Sequence, residues 1–337
     1  MRRGEVRPAG TCGVALMAAL VSALAASSCS LKSMAVNTIA DTLAESGDTF
    51  ASDDDPELIR DAVPFSLKLM ESVLADTPKH RGLLLAACSG FAQYAYAFVQ
   101  VDAELVEYDD FEQGEALKAR ARLLYLRAQG YGLRNLEVAY PGLRARLSTS
   151  AADAVRVVKA VDVPALYWTG ASWGAAISLG LDRPNLIADL PAARAFLDRA
   201  LALDEAWGDG AIHEAFISLE ALPEAMGGSK ARAREHFARA IELSKGRSAG
   251  AYVTLAMSVS VAEQNRAEFE DLLRQALAVD PDVTPGLRLA NLIAQKRARF
   301  LLDHIDLFIA SQDDRGSAPD PGSVARRSSP KAGAFGL

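Results

Sequence analysis

The sequence predicts an all-α protein in which pairs of helices stack along the chain. Apolar residues recur at helical spacing almost without interruption from about residue 33 to residue 310. Alanine and leucine are abundant while runs of β-branched residues are short, which favours helices over strands. Three segments with one shared pattern recur at spacings of 40 and 36 residues, as stacked helical pairs require.

Composition limits the classes of function. The chain has 337 residues, half of them hydrophobic, which is enough to bury the core of one or two domains. Its net charge of −7 offers no basic surface for nucleic acid, so we expect no nucleic-acid partner.

The N-terminus has the pattern of a signal peptide. Arg2, Arg3 and Arg7 form a basic region before the apolar stretch Val14–Ala26, and small residues follow. A transmembrane anchor is the less favoured alternative, because the apolar stretch is too short to span a bilayer.

Cys29 ends this region in a pattern that resembles a bacterial lipobox, although Ala26 stands three residues before it, where leucine is commoner. In that class of protein the cysteine carries fatty-acyl chains such as palmitate, which hold the mature lipoprotein to a membrane. Simple secretion remains an alternative. Ser30 rather than aspartate follows the cysteine, which by the sorting rule of enteric bacteria favours the outer membrane.

The chain therefore divides into three parts. Residues 1–28 are the predicted signal peptide, residues 29–310 a helical domain, and residues 311–337 a disordered tail rich in Ser, Pro, Gly and charge. Cys88 is then the one cysteine left within the domain, and its apolar surroundings predict a buried, unreactive thiol.

Short clusters of Pro, Gly and Asp mark the connections between helices, because these residues end helices and form turns. They lie at residues 52–56, 76–80, 140–143, 181–185, 224–229 and 279–286.

Five segments between these connections are alike: Leu67–Pro78, Arg122–Leu133, Ala192–Asp204, Ala231–Ser244 and Ala267–Asp282. The last three align a small alanine, Ala200, Ala240 or Ala276, at spacings of 40 and 36 residues. Such a period predicts a divergent tetratricopeptide-like (TPR-like) array, in which small residues let neighbouring helices approach closely.

The stretch "LYWTGASWGAAISLG" contains a G-x-S-x-G sequence around Ser172, the pattern of a hydrolase nucleophile. That mechanism needs a strand before the serine, and the sequence offers no parallel strands. Gly170, Gly174 and Ser178 instead fall on one side of a helix, which predicts close packing.

No other motif supports catalysis or metal binding. The four histidines show no zinc spacing, and His213-Glu214 is typical of a helix start or an interface. The acidic cluster at residues 52–57 lacks the glycine and distal glutamate of a calcium loop, and phosphate-binding glycine loops are missing. We expect no enzyme activity, no metal and no cofactor.

Five blocks of the sequence together resemble the T component of TRAP transporters (TatT), a family of periplasmic lipoproteins. They are residues 120–137, 166–191, 199–216, 227–246 and 287–302, and the resemblance covers roughly residues 29–310. It implies a TPR-like helical protein that forms trimers and carries a pore through each protomer. It also implies a periplasmic TRAP solute-binding protein as partner and a hydrophobic small molecule as ligand.

Our hypothesis is therefore a non-enzymatic, lipid-anchored periplasmic component, held to the outer membrane, that docks the solute-binding protein and passes a ligand through its interior. Tyr167, Trp168, Trp173 and Asn291 are the candidate pore-lining residues; the alternative is that both tryptophans belong to the core. The competing hypothesis is a structural TPR scaffold for an envelope complex, with no small-molecule ligand.

Overall fold

The structure is a computed structural model that describes residues 36–44 and 47–310. All regular elements within these ranges are helices, which confirms the all-α prediction. The predicted signal peptide, Cys29 and the C-terminal tail lie outside the described residues.

Ten long helices carry the fold of this part of the chain. They are α1 (Pro56–Asp76), α2 (Arg81–Val106), α3 (Phe111–Ala139), α4 (Val163–Ser178), α5 (Leu190–Leu203), α6 (Ala211–Glu220), α7 (Lys230–Ser244), α8 (Ala249–Ser260), α9 (Arg266–Ala278) and α10 (Arg288–Asp303). Shorter α-helices span Gly47–Ala51, Leu143–Leu147, Ala151–Val155, Pro184–Ile187 and Ile305–Phe308, and short 3₁₀ turns span Ala160–Asp162, Trp207–Gly210, Glu224–Met226 and Pro285–Leu287.

Polar side chains start several of these helices where the sequence places them. Asp55 accepts hydrogen bonds from the backbone N–H groups of Glu57 and Leu58, both at 3.0 Å, and so caps α1. Asp110 caps α3 and Asn265 caps α9 in the same way. All six predicted connections fall between helices, but the breaks at 107–110, 204–210, 245–248 and 261–265 were not predicted.

The helices pack as successive neighbours and also as alternate neighbours. Each long helix contacts the next along the chain. The even-numbered helices additionally contact each other in order: α2 with α4, α4 with α6, α6 with α8, and α8 with α10. The five similar segments of the sequence lie in α1, α3, α5, α7 and α9, the odd-numbered helices.

The apolar core forms two clusters that meet at α6. Phe216 belongs to the cluster of the N-terminal helices, and its neighbour Ile217 belongs to the cluster of the C-terminal helices. The predicted small positions Ala200, Ala240 and Ala276 are all buried, as close helix packing requires.

Helix α2 is long and apolar enough to cross a membrane. However, it packs against α1, α3 and α4, and most of its apolar stretch is buried in these contacts. It therefore has the surroundings of a core helix.

The last long helix returns to the start of the fold. Helix α10 contacts α1 and the short helix Gly47–Ala51. Lys296 lies 3.5 Å from Glu57, and Arg288 lies 3.5 Å from Asp54. The succession of even-numbered helices thus leads from α2 round to α10 and back to the first helices.

Candidate functional site

A buried ion pair joins the two ends of the helix succession. Arg297 on α10 is 1% exposed, and its Nε and Nη2 donate to Glu104 on α2 at 2.7 and 3.0 Å. Its Nη1 donates to the hydroxyl of Tyr96 at 3.3 Å. Burial raises the pKa of Tyr96, so this hydroxyl stays protonated.

Tyr96 and Gln100 belong to a π-helical turn, Tyr96–Gln100, inside α2. The Oε1 atom of Gln100 accepts a hydrogen bond of 2.7 Å from Tyr125 of α3, while its buried Nε2 has no partner in the described part of the chain. Turns of this kind are frequent at functional sites, because the extra residue re-aims the side chains.

Glu214 on α6 is the most perturbed acid of the interior. Burial raises its pKa to about 7, and the one hydrogen bond that opposes this comes from the Ser248 hydroxyl, 3.0 Å from Oε2. No ion pair neutralises it among the described residues. The residue as a whole is only partly buried, so the surrounding protein does not enclose all of it.

Helix α8 accommodates this carboxyl at Gly250. A Cβ atom on Gly250 would overlap Oε1 of Glu214, so the absence of a side chain there makes room for the acid. Thr254 follows one turn later on the same side of α8, and Ser258 lies in a π-helical turn, Ala256–Ser260, at the end of this helix. Their buried hydroxyls have no hydrogen-bond partner in the structure, and so they remain available to a polar group.

Three aromatic side chains form a cluster beside α6, which we call the aromatic cluster: Tyr167, Trp168 and Trp207. The ring centroid of Tyr167 lies 4.9 Å from that of Trp168 and 4.7 Å from that of Trp207. The two tryptophans are partly exposed. The charge of Glu214 contributes to a raised pKa of Tyr167, which links the cluster electrostatically to this acid.

Trp173 and Asn291 are buried and bound to the surrounding protein. Trp173 packs edge-on against Phe196, and its indole N–H donates to Asp189 at 3.3 Å. The amide of Asn291 donates to the carbonyl of Arg247 and accepts from the N–H of Ala249, both at 2.9 Å. Asn291 thereby fixes the start of α8. Of the four candidate pore-lining residues, the structure brings together Tyr167 and Trp168.

The G-x-S-x-G sequence lies wholly inside α4. The hydroxyl of Ser172 donates to the backbone carbonyl of Trp168, four residues earlier, so it has no base beside it. A Cβ on Gly170 would come within 2.9 Å of Leu197, which confirms that this glycine serves close helix packing. Cys88 is buried, and burial raises its pKa to about 12, as expected for an unreactive thiol.

A histidine pair joins α6 to α7. The Nδ1 atoms of His213 and His236 are 2.8 Å apart, and His213 Nε2 lies 3.2 Å from Glu205. Burial, with the neighbouring histidine, lowers the pKa of His236 to about 4, so at neutral pH this ring is uncharged. The described residues contain no group of three ligands suited to a metal ion.

An open groove of about 540 Å³ lies on the surface between the short helix Ala151–Val155 and α5. Its floor is mainly apolar, with Ala195 and Ala202 from α5. Arg194 and Arg199 at its edge are already engaged, with Glu220 and with the carbonyl of Val158. Arg156 at the same groove pairs with Asp153, and burial raises the pKa of Asp198, which also lines it.

Sequence reasoning did not identify Glu214, Tyr96, Arg297 or Trp207 as site residues. A signal for two of them was present. Glu214 and Arg297 are charged residues at positions where the helical period places apolar neighbours, such as Ile217 and Ile293. A charge on the buried side of a helix needs a partner or a function.

The described part of the chain is thus all-helical, and its buried groups Tyr96, Glu214 and Arg297 lie on the even-numbered helices α2, α6 and α10. A family model described as TRAP transporter T-component (TatT) matches residues 52–308. A protein of Treponema pallidum (strain Nichols), named only as an uncharacterized protein, is 32% identical over 309 residues, covering 86% of this chain and 96% of that protein. The chain belongs to the TatT family, whose members are components of TRAP transporters.

Proposed function

We propose that this protein is a non-enzymatic periplasmic partner of a TRAP transporter that carries a hydrophobic ligand through its interior. The family supports the association with the transporter. The contacts of α10 with α1 and α2 support an interior route for the ligand, because they join the even-numbered helices into a closed succession around one region. Partly exposed residues such as Trp168 and Glu214 then belong to the wall of that region.

The remaining parts of this proposal extend the family assignment. The alternate packing of helices supports a TPR-like superhelix, whose surface would present the solute-binding protein with a docking site. Acyl chains on Cys29 hold the protein to the outer membrane from the periplasmic side. The protein associates as a homotrimer. The two arms of the proposal, partner and ligand, need separate tests.

The partner is tested by capture. The immobilised mature chain is incubated with a TRAP solute-binding protein of the same organism and, as a matched control, with a solute-binding protein of an ATP-driven transporter. We expect the first to be retained and the second to pass through. If neither protein is retained, the proposed role beside a TRAP transporter is wrong.

The ligand is tested with the neutral hydrophobic probe N-phenyl-1-naphthylamine, whose fluorescence rises in an apolar site. We expect saturable binding to the folded chain, weakened in Trp168→Ala, because this ring is partly exposed beside Tyr167. Trp173→Phe serves as control, since Trp173 packs in the core and should affect stability rather than binding. Absence of saturable binding would favour the alternative, a structural scaffold without a ligand.

A further inference from the structure

The polar groups around Glu214 restrict the chemistry of a ligand in this interior. The carboxyl has a single hydrogen-bond partner, Ser248, and no counter-ion among the described residues. The buried hydroxyls of Thr254 and Ser258 make no hydrogen bond within the described structure, and the charge of Glu214 contributes to the raised pKa of Tyr167. The site offers one acid, neutral hydroxyls and aromatic faces.

A negatively charged ligand head group fits these surroundings poorly. Arg297 is a buried cation whose charge, like that of Glu214, acts on Tyr96, but its guanidinium is already bound by Glu104 and Tyr96. The cations that α5 and α7 bring toward α6, Arg194 and Arg232, both bind Glu220. Arg247, next to Ser248, lies 4.0 Å from Asp209. A carboxylate brought to Glu214 would therefore meet another acid without a free cation.

A positively charged head group fits well. An ammonium ion supplies the counter-ion that Glu214 lacks, and a charge-assisted hydrogen bond between the two is stronger than a neutral one. Tyrosine and tryptophan faces attract cations through their ring quadrupoles, most strongly where water is excluded. The ring centroid of Tyr167 lies within 5 Å of those of both Trp168 and Trp207. The aromatic cluster therefore presents several ring faces at one place.

We propose that Glu214 and the aromatic cluster form the recognition site for an ammonium group on a ligand whose remainder is apolar. This inference rests on the proposed function, since it assumes that ligands enter the interior. It specifies the ligand as a cationic amphiphile, in which the apolar part occupies the space along the even-numbered helices.

The test compares three ligands with the same eight-carbon chain: octylammonium, 1-octanol and octanoate, each below its aggregation concentration. Displacement of N-phenyl-1-naphthylamine from the folded protein reports binding of each. At pH 8 we expect octylammonium to bind about tenfold more tightly than octanol, the factor given by one charge-assisted hydrogen bond. Octanoate should bind most weakly.

Two variants assign the preference to Glu214. In Glu214→Gln the preference for octylammonium should disappear while octanol binding is unchanged. Gly250→Ala should do the same, since the added methyl group occupies the position of Oε1 and displaces the carboxyl. Glu112→Gln, at an exposed position of α3, is the control and should behave as the wild type.

Acid should weaken the ammonium preference in the wild type alone. Burial raises the pKa of Glu214 to about 7, whereas an alkylammonium stays charged up to about pH 10. Octylammonium binding should therefore fall toward that of octanol between pH 8 and pH 5.5. Equal binding of octylammonium and octanol at pH 8 would overturn the inference and leave the interior route intact. Failure of all three ligands to displace the probe would instead count against the proposed function.

Discussion

Glu214 is an acid at a position of α6 where packing alone would favour an apolar side chain. Its neighbours along α6 are apolar and buried, and a leucine or methionine would fill the same position without the cost of burying an acid. Its carboxyl instead lies against a glycine and accepts one hydrogen bond, from the Ser248 hydroxyl. An acid retained under these conditions indicates a role outside stability.

The cost of that acid should appear in the pH dependence of folding. In the unfolded chain Glu214 has a pKa near 4.5, and in the folded protein burial raises it to about 7. Folding is therefore favoured while the group is protonated, and this contribution is lost as the pH rises through 7. Between pH 4.5 and pH 8 the wild type should lose up to about 3 kcal/mol of unfolding free energy relative to Glu214→Gln.

Urea denaturation of the two proteins across this pH range measures the difference. Glu112→Gln provides the baseline, because an exposed carboxyl has nearly the same pKa in both states. A difference between wild type and Glu214→Gln that stays constant from pH 4.5 to pH 8 would show that the carboxyl is solvated in the folded protein.

The residue scale is also where the sequence was least informative. Trp168 and Trp173 occur in the same helix, which is rich in small residues, and the sequence gives no reason to distinguish them. The structure separates them, because Trp173 packs against Phe196 of α5 and Trp168 packs against Tyr167 in the aromatic cluster. That distinction depends on which side of α4 each neighbouring helix occupies, and helical periodicity alone does not give it.

At the scale of elements, close packing of α2, α3 and α4 depends on positions without side chains. A Cβ atom on Gly132 of α3 would overlap the hydroxyl of Thr169 on α4 and come within 3.0 Å of the Cys88 sulfur on α2. Three helices therefore meet at this one glycine. Gly130, two residues earlier, has no atom within 4 Å of the same position.

These two glycines make a matched pair for a stability measurement. Gly132→Ala should destabilise the protein by about 2–3 kcal/mol, since the added methyl group forces three packed helices apart. Gly130→Ala should stabilise it by about 0.5–1 kcal/mol, because alanine is the better helix former and meets no obstacle. Chemical denaturation of both variants gives the two values. Equal effects would mean that α2, α3 and α4 do not approach each other at Gly132.

The elements themselves were largely predictable, for a local reason. Proline and glycine clusters end helices whatever surrounds them, so the connections at 140–143 and 279–286 could be placed from the sequence. The break at 107–110 was missed because its residues, Glu107 to Asp110, are tolerated in helices. Asp110 caps the following helix there by accepting a hydrogen bond from the N–H of Gln113. A single aspartate is too common in sequences to predict such a cap.

At the scale of the whole molecule, the sequence predicted that similar helices follow one another along the chain, but not that the last long helix contacts the first ones. Similar segments about 40 residues apart indicate which helices occupy equivalent places, and these proved to be the odd-numbered helices. Nothing in that period says how far the succession curves. The contact between Arg297 and Glu104 joins residues 193 positions apart, and curvature of this kind accumulates from small rotations at each helix pair.

Closure of the molecule makes Arg297 the residue on which the last prediction depends. Its guanidinium is 1% exposed and ties α10 to α2 through Glu104 and Tyr96. Removing one partner of a buried pair leaves an uncompensated charge, whereas replacing both can be nearly neutral. We therefore expect Arg297→Met to lower the unfolding free energy by about 3–5 kcal/mol, and the double variant Arg297→Met, Glu104→Gln to recover most of that loss.

Arg299→Met is the control, since Arg299 is exposed on the same helix two residues away and should change stability by less than about 0.5 kcal/mol. A double-mutant cycle on Arg297 and Glu104 then isolates the coupling between α10 and α2 from the separate effects of each side chain. Additive effects of the two single variants would mean that the first and last helices are not held together by this pair. In that case the even-numbered helices would form an open arc, and the interior would lose the wall that the proposed ligand route requires.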